Sequence, residues 1–534
     1  MPAQIPPEAQ SIGRSRSRLS ASSLTTFLRC KKQWFLNYRI GLRGPVSPPQ
    51  IMGIEIEDAL CSILMHRAPK VESIEGLSSW VEELVNEYGQ KAIDNGRKSF
   101  DESIWKEGEF SDSFDIEIVC NMLRNGIELQ LEEVKRCFEA GGGQTEFEIP
   151  APCWDNPPKF LQPEKANSMV SWKDESHVFS TPITWQDAWE IARPWVKDPR
   201  NPEPQRMYHA DRWAAGECDL VHRWDGQTRI IDIKIGDGEG SFSSSLKHQL
   251  NFYAWLWNET HDSKCDGIEG WYLKNGLRKV VNLNPKTTEE YREIYDEMRS
   301  WNLTNVFPID EPCSGEEAGC RWCKLDQLPF EKPNITSPCE LISTIPYRVN
   351  VKGKLQASWG PLPNHYGELV LGAMIKSGDK MVTLEESQPS SYPKMHDSPQ
   401  DEVIVTGALP GVWRGQPRLY LDNQSSIEIN AECDLTRMGM LRTKANVQGI
   451  VISISRRNGI RADGRPWSMV SLHIWDGESV AELVAFGSSI KGSILSMKQG
   501  DEVRIISADL GWREGIIQLR VDKRTTRIDI LSKD

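Results

Sequence analysis

Asp219 and Asp232 are the two side chains whose identity and placement most directly suggest chemistry. They lie in Ala215 to Gly236, AGECDLVHRWDGQTRIIDIKIG, where alternating apolar residues flank Asp225-Gly226. That pattern predicts a β-hairpin with a two-residue type I′ turn. In the resulting register Trp224 faces Gln227, Asp219 lies opposite Asp232, and Glu217 lies opposite Lys234. Alternation with period two puts these four polar side chains on one face, with Leu220, Ile231 and Ile233 on the other. Opposed carboxylates weaken a ladder, so a purely structural hairpin gains nothing from them. A divalent cation turns the repulsion into a binding site, and hard oxygen ligands suit Mg2+ or Mn2+. The plainer reading is a solvated strand face carrying a Glu217–Lys234 ion pair.

Several elements must hold such a pair in place. Residues 20–38, SASSLTTFLRCKKQWFLNY, predict one helix capped by Ser22 or Ser23, with Leu24, Phe27, Leu28, Trp34 and Phe35 on its apolar side and Cys30 in its middle. After the prolines from Pro45 to Pro49, a second helix is expected near Gly53, running through Glu55, Glu57, Leu60 and Leu64. Residues 74–95 and 114–140 also read as helices. Residues 148–213, rich in Trp and Pro, read as an insertion or lid. Residues 243–258 predict a serine-capped helix on which Gln249 and Tyr253, four apart, share a face. A second hairpin turning at Asn275-Gly276 and a helix over 287–301 follow.

The chain has twelve cysteines in 534 residues, too sparse for a disulfide scaffold. Cys313, Cys320 and Cys323 lie together in CSGEEAGCRWC and suggest a metal centre lacking one ligand. Cys339 would complete a local zinc-ribbon-like knuckle. Cys30 would tie the first helix to the end of the domain, as an iron–sulfur cluster does.

Beyond residue 345 the character changes. Residues 445–530 show about five strands with a helix-like piece near Ser488–Met497, the pattern of the five-stranded OB-fold barrel. Its first long loop, RRNGIRADGRPW, carries Arg456, Arg457, Arg461 and Arg465 beside Trp467, and its last strand leads into Lys523, Arg524 and Arg527. Guanidinium groups clamp phosphates. Trp475, Phe486 and Trp512 either stack bases or fill the barrel. Residues 345–432 are strand-like, and a diverged second copy of the barrel is one reading. The net charge of −13 resolves into +7 over residues 1–43, +2 over 445–534 and −22 between, an acidic body with basic ends. The sequence has no apolar run of membrane-spanning length and no N-terminal apolar stretch of a secretion signal, so the expectation is a cytoplasmic, nucleoid-associated chain without a membrane partner.

The motifs S-x-S-x-L-x-x-F-x-x-C (Ser20 to Cys30), G-x-C-D (Gly216 to Asp219), D-I-K (Asp232 to Lys234) and Q-L-x-x-Y-A (Gln249 to Ala254), with the late cysteines, occur in an order that resembles the PD-(D/E)XK nucleases of the RecB-like, iron–sulfur branch. The C-terminal barrel resembles OB-folds of the replication protein A kind. The resemblance implies an α/β restriction-endonuclease-like core, a mixed sheet flanked by helices, followed by all-β OB-fold domains. The divisions it suggests are a basic, disordered 1–18, a nuclease domain over 19–340, a β-rich domain over 341–435 and an OB-fold over 445–534. It implies Asp219, Asp232 and the Ile233 carbonyl as ligands of Mg2+ or Mn2+, Lys234 as the residue that orients or deprotonates the attacking water, and Gln249 and Tyr253 as groups that position the scissile phosphate. Four residues past Gly53, where the family usually carries histidine, stands Glu57, itself a hard-metal ligand. The cysteines run C-x6-C-x2-C rather than the family's C-x2-C-x5-C, leaving a [4Fe–4S] cluster with Cys30 and a zinc site both open. The activity implied is a DNase, an exonuclease in the family's manner, on single-stranded or flapped DNA in repair, recombination or replication. The alternatives are a decayed nuclease fold serving as a DNA-binding scaffold and an RNA-directed nuclease. No G-x-x-x-x-G-K-[ST] loop occurs in the sequence, so any motor is expected from a helicase or repair partner in trans.

Overall fold

The structure is a computed structural model that describes residues 18–40, 44–103, 106–110, 114–142, 182–197, 207–209, 213–238, 242–261, 263–301, 331–345, 348–363, 369–386, 402–413, 415–421, 425–460, 465–513 and 516–531. The expectations for residues 1–17, Arg461, Cys313, Cys320, Cys323 and much of the 148–213 stretch lie outside these.

Ser20 starts the chain's first helix, α1 (Ala21–Arg29), with a reciprocal capping box to Ser23. The single helix expected over 20–38 is broken at Cys30, and beyond Trp34 it continues as a π-helix over Phe35–Ile40. Cys30 adopts an extended backbone, with φ of −158°, ends α1 and caps α2 (Lys31–Trp34), its Sγ accepting the Gln33 N–H at 3.5 Å. Helix α3 (Pro48–Met65) begins before Gly53, because proline at the first helical positions gives up only N–H groups that have no intrahelical partner. Long helices α4 (Ile74–Glu102) and α5 (Ile116–Glu139) follow.

Part of the stretch read as an insertion belongs to the core. Thr184 and Asp187 form a capping box that starts α6 (Trp185–Ala192), and β1 (Trp195–Val196) is an edge of the central sheet. Strands β2 (Met207–Tyr208) and β3 (Ala215–Gly216) pair apart from that sheet. Then come β4 (Leu220–His222), β5 (Thr228–Lys234), α7 (Phe242–Thr260), β6 (Cys265–Tyr272), β7 (Leu277–Val281) and α8 (Thr288–Trp301). The sheet runs β1-β4-β5-β6-β7 and is mixed: β5 and β6 are parallel, and α7 supplies the crossover such a pair needs. One face buries Leu220, Ile231, Ile233 and Trp271 among apolar residues of α3, α4 and α5. The other buries Val221, Ile230 and Ile268 with Leu250 and Trp257 of α7 and Phe27 of α1. Fully burying one such large apolar side chain is worth about 2 to 3 kcal/mol, so this double-sided cover is what fixes the strands' faces.

Behind the sheet, Glu133 of α5 is fully buried. Its carboxylate accepts from Trp224 Nε1 at 3.1 Å, Arg229 at 3.0 and 3.2 Å, Arg278 at 2.8 Å and Arg136 at 2.9 Å. Burial would raise its pKa, but the Arg229 guanidinium, helped by neighbouring donors, holds it well below the usual range.

The expected all-β part is present. Strands β8 (Val349–Pro363), β9 (Leu369–Ser377), β10 (Lys380–Glu386), β11 (Glu402–Trp413) and β12 (Gln416–Leu421) close a barrel: the first pairs with the second and fourth, and the third pairs with the fifth in parallel. Strands β14 (Lys444–Ile460), β15 (Pro466–Trp475), β16 (Val480–Phe486), β17 (Glu502–Arg513) and β18 (Ile516–Arg520) repeat that order. In each barrel a further strand, β13 (Ser426–Glu428) or β19 (Arg527–Leu531), adds to the fourth, and α9 (Gly492–Ser496) follows the third strand of the second barrel. This is OB-fold topology twice over.

The barrels touch closely. A Cβ at Gly411 would come within 2.8 Å of the Leu510 carbonyl, and Arg520 donates to the Val412 carbonyl at 3.2 Å and Tyr420 Oη at 2.9 Å while lying over the Trp413 ring. Residues 331–345, between the α/β core and the first barrel, strap the second barrel: Glu340 N–H donates to the Asn446 carbonyl at 3.2 Å, and Ile342 N–H to Asp476 Oδ2 at 2.6 Å. No described helix is long and apolar enough to cross a membrane.

Candidate active site

Strands β4 and β5 pair Leu220 with Ile231, Val221 with Ile230 and His222 with Arg229, the register expected from the sequence. The turn differs. Gly226 has φ of +78°, but Asp225 does not share the left-handed conformation a type I′ turn needs at both positions. The Asp225 carboxylate instead accepts the Gln227 N–H at 3.3 Å and pairs with Arg229 at 3.1 Å, supporting a longer loop. The ladder stops at Leu220, so Asp219 stands just beyond it, and Glu217 lies outside the pairing rather than opposite Lys234. Relief of carboxylate repulsion favours this ending. Close packing does too: a Cβ at Gly216 would meet Leu256 at 3.0 Å and Tyr253 at 3.1 Å, so glycine lets β3 lie against α7.

Asp219 and Asp232 remain on the α7 side of the sheet, both buried. Asp219 Oδ2 accepts the Ile233 N–H at 2.8 Å. Asp232 takes Gln249 Nε2 on Oδ1 and the Lys234 ammonium on Oδ2. Lys234 Nζ lies 3.5 Å from Gln249 Oε1, and Gln249 Nε2 lies 3.5 Å from Tyr253 Oη. One turn of α7 thus faces the end of β5, as the i,i+4 spacing predicts.

Glu57 projects from α3 and is held by Lys197 at 2.7 Å, with Asp58 3.5 Å from the same ammonium. Lys197 follows β1 directly, and its N–H donates to the Asp219 carbonyl at 2.9 Å. The sequence reading did not single out Lys197, because its partner lies 140 positions away. The T-x-x-D capping signature at Thr184 to Asp187 is the signal that would have placed a core helix and strand before it.

Charge is concentrated here. Burial pushes the Asp219 carboxyl well above its usual pKa, and repulsion from Glu57 and Asp232 adds to the shift. Burial also raises Asp232, with Lys234 pulling the other way. Burial alone would lower Lys234, but Asp232 and Asp219 overcome it and raise the ammonium's pKa. Lys197 behaves likewise, with Glu57 outweighing burial. Burial lifts the Tyr253 phenol too, so it stays protonated and can donate.

Hard oxygen donors, burial and mutual repulsion are what a divalent cation relieves, and in kind Glu57, Asp219 and Asp232 fit one. Among the described residues no three His, Cys, Asp or Glu side chains already enclose a metal position. Lys234 on Asp232 and Lys197 on Glu57 balance part of the charge.

The other expected site residues are dispersed. Cys30 is buried near the α1–α2 junction, and Cys339 is half-buried in the strap, next to Thr336 that bonds Gln448 of the second barrel. The loop expected at RRNGIRADGRPW is largely a ribbon. Arg456 and Arg457 lie in the ladder opposite Val470 and Met469, and Trp467 pairs with Gly459. Arg456 donates to the Leu495 carbonyl at 2.8 Å, and Arg465 is exposed at the ribbon's end. Lys523 and Arg524 sit in an exposed turn whose backbone is held by Asp522, and Arg527 pairs with Asp529 at 2.9 Å. Trp475 is no stacking platform. It is buried with Ile450, Ile452 and Val480 in the cluster shared with α1 and α7, where the barrel and the α/β core meet. Phe486 is partly exposed at the end of β16.

Residues 186–328 match the family described as the PD-(D/E)XK nuclease superfamily, so the chain carries a domain of that superfamily containing Lys197, Asp219, Asp232, Lys234, Gln249 and Tyr253. Among curated proteins, the chain is 28% identical over 247 residues to U3 small nucleolar RNA-associated protein 13 of Saccharomyces cerevisiae, an overlap of 45% of this chain and 27% of that protein. The chain thus spans about a quarter of the relative's length. Among solved structures, a replication protein A heterotrimer bound to ssDNA is similar at 12% identity, with TM-score 0.15, over 38% of this chain and 52% of that one. The OB domain of a Thermoplasma acidophilum protein is similar at 21% identity, with TM-score 0.15, over 18% of this chain and 83% of that one. The barrel assignment rests on strand order rather than on these partial overlaps.

Proposed function

We propose that the chain is a metal-dependent DNase that hydrolyses phosphodiester bonds in single-stranded or flapped DNA, most simply as an exonuclease, in repair, recombination or replication. The observation that carries this reading is the meeting of Asp219, Asp232 and Lys234 with Gln249 and Tyr253 on one face of the sheet, inside the superfamily match. Asp219, Asp232, Glu57 and the Ile233 carbonyl would hold Mg2+ or Mn2+. When bound, the ion supplies Lewis-acid stabilisation of phosphoryl charge and lowers the pKa of water at the site. Lys234 orients that water and faces the negative charge that develops on the phosphate. Gln249 and Tyr253 donate to phosphate oxygens and fix the backbone. The second barrel, packed against the same core, presents Arg465, Trp467, Lys523 and Arg524 to the strand, with Arg456 and Arg457 along the ribbon, and Arg461 is assigned the same phosphate-binding role. The domain divisions that go with this reading are a nuclease domain over 19–340, a β-rich barrel over 341–435 and a strand-binding barrel over 445–534. Cys30, Cys313, Cys320 and Cys323 are assigned to a [4Fe–4S] cluster, with zinc and Cys339 as the alternative.

End-labelled single strands, flaps and matched RNA, each with Mg2+ and with Mn2+, test the activity. The expected result is DNA cleavage that Asp232→Ala and Lys234→Ala reduce to background while strand retention on filters persists. Cleavage by either variant at the parental rate removes the mechanism, retention without cleavage by the parent leaves a scaffold, and a preference for RNA changes the substrate. For the cluster, a broad absorbance near ~400 nm is expected, and a colourless protein containing zinc would replace iron–sulfur with the knuckle.

A further inference from the structure

Lys197 joins the two elements that bring acidic groups to the site. Its backbone N–H is bonded to the carbonyl of Asp219 at 2.9 Å, and its ammonium takes Glu57 Oε1 at 2.7 Å and reaches Asp58 at 3.5 Å. Strand β1 sets this position, because Trp195 and Val196 pair with Val221 and Leu220, which brings the next residue level with Asp219. The Lys197 side chain is only 22% exposed and that of Glu57 20%, so the pairing is screened less than a fully exposed ion pair. Glu57 uses Oε1 for this bond, and among the described residues Oε2 has no hydrogen-bond partner. The four carboxylates Glu57, Asp58, Asp219 and Asp232 face two ammonium groups, Lys197 and Lys234, which leaves the surplus negative charge that one divalent ion balances.

We propose that Lys197 is a positioning residue for the metal centre: it anchors the Glu57 carboxylate to the strand that carries Asp219 and leaves Oε2 for the ion. This rests on the metal-dependent reading above. A carboxylate without such an outer partner swings freely, and loss of comparable outer-shell bonds costs about 10 to 100-fold in metal affinity.

The test is Mn2+ binding to the full chain, read by electron paramagnetic resonance of the free ion, with a circular-dichroism melt for each variant. Lys197→Met is expected to weaken binding by about 10 to 100-fold, and Lys197→Arg, which keeps a cation on Glu57, to retain most of it. In a Glu57→Gln background, Lys197→Met should cause no further loss, because the effect passes through Glu57. Unchanged or tighter binding by Lys197→Met would mean that the ammonium competes with the ion, and would overturn the proposal. So would a further loss in the Glu57→Gln background. If Lys197→Met does not fold, Lys197→Gln takes its place under the same criteria. Failure of the parent chain to bind Mn2+ is a separate result, and it sinks the metal-dependent reading itself.

Discussion

Each acidic side chain at the site is stabilised by something other than water. Asp219 has a backbone N–H, Asp232 has an ammonium and an amide, and Glu57 has Lys197. Because burial raises the pKa of both aspartates, the folded chain holds their protons more tightly than the unfolded chain does. The sign follows: their contribution to stability is full below the ordinary carboxylate pKa and erodes as pH rises through the raised values. A bound cation reverses this, since it binds the ionised forms. The rise in melting temperature on adding Mn2+ should therefore increase with pH beyond the ordinary carboxylate range, and Asp219→Asn should flatten that dependence. A pH-independent rise in the parent chain would contradict it. At Glu57, replacement by histidine should favour Mn2+ over Mg2+, because imidazole is the softer donor. The ratio of the two binding constants measures that directly.

Helices and strands give two further tests. Glu133→Ala strips the shared partner from Arg229 and Arg278, so it is expected to cost about 3 to 5 kcal/mol, read as an earlier urea midpoint. Gly216→Val pushes β3 away from Tyr253 and Leu256, at about 1 to 3 kcal/mol, and should reduce cleavage more than strand binding. These elements also show what the sequence made legible. Period two in the Leu220–Lys234 region determines facing and register without long-range information, and the i,i+4 spacing of Gln249 and Tyr253 does the same for α7. The turn at Asp225 was not legible, because the Asp225 carboxylate bonds Gln227 and Arg229 and so stabilises a loop that the dipeptide alone does not predict. Nor was the break at Cys30, where a thiol that caps the following turn replaces a helical residue. Lys197 was hidden for a different reason: its role depends on a strand pairing and on a carboxylate far away in the chain.

Among the described residues, Arg520 bridges the two barrels, reaching both Val412 and Tyr420. Arg520→Ala should let the barrels move independently. The expected readouts are faster proteolysis between β13 and β14 and a weaker affinity for strands long enough to cross both barrels, with short strands bound as before. Equal loss on short and long strands would place Arg520's effect within one barrel. The repeated strand order was legible only in outline, because the first barrel's long connections interrupt the alternation that marks its strands.

The strap also imposes an order on biosynthesis. Ile342 and Ile345 are part of the second barrel's core, yet they leave the ribosome about a hundred residues before β14 does. Domains generally fold as they emerge, so the α/β core and first barrel can settle while these two isoleucines still await the second barrel. The segment from Lys444 onward then closes over isoleucines already waiting, and a nascent chain halted ahead of Lys444 would keep that apolar segment open to chaperones.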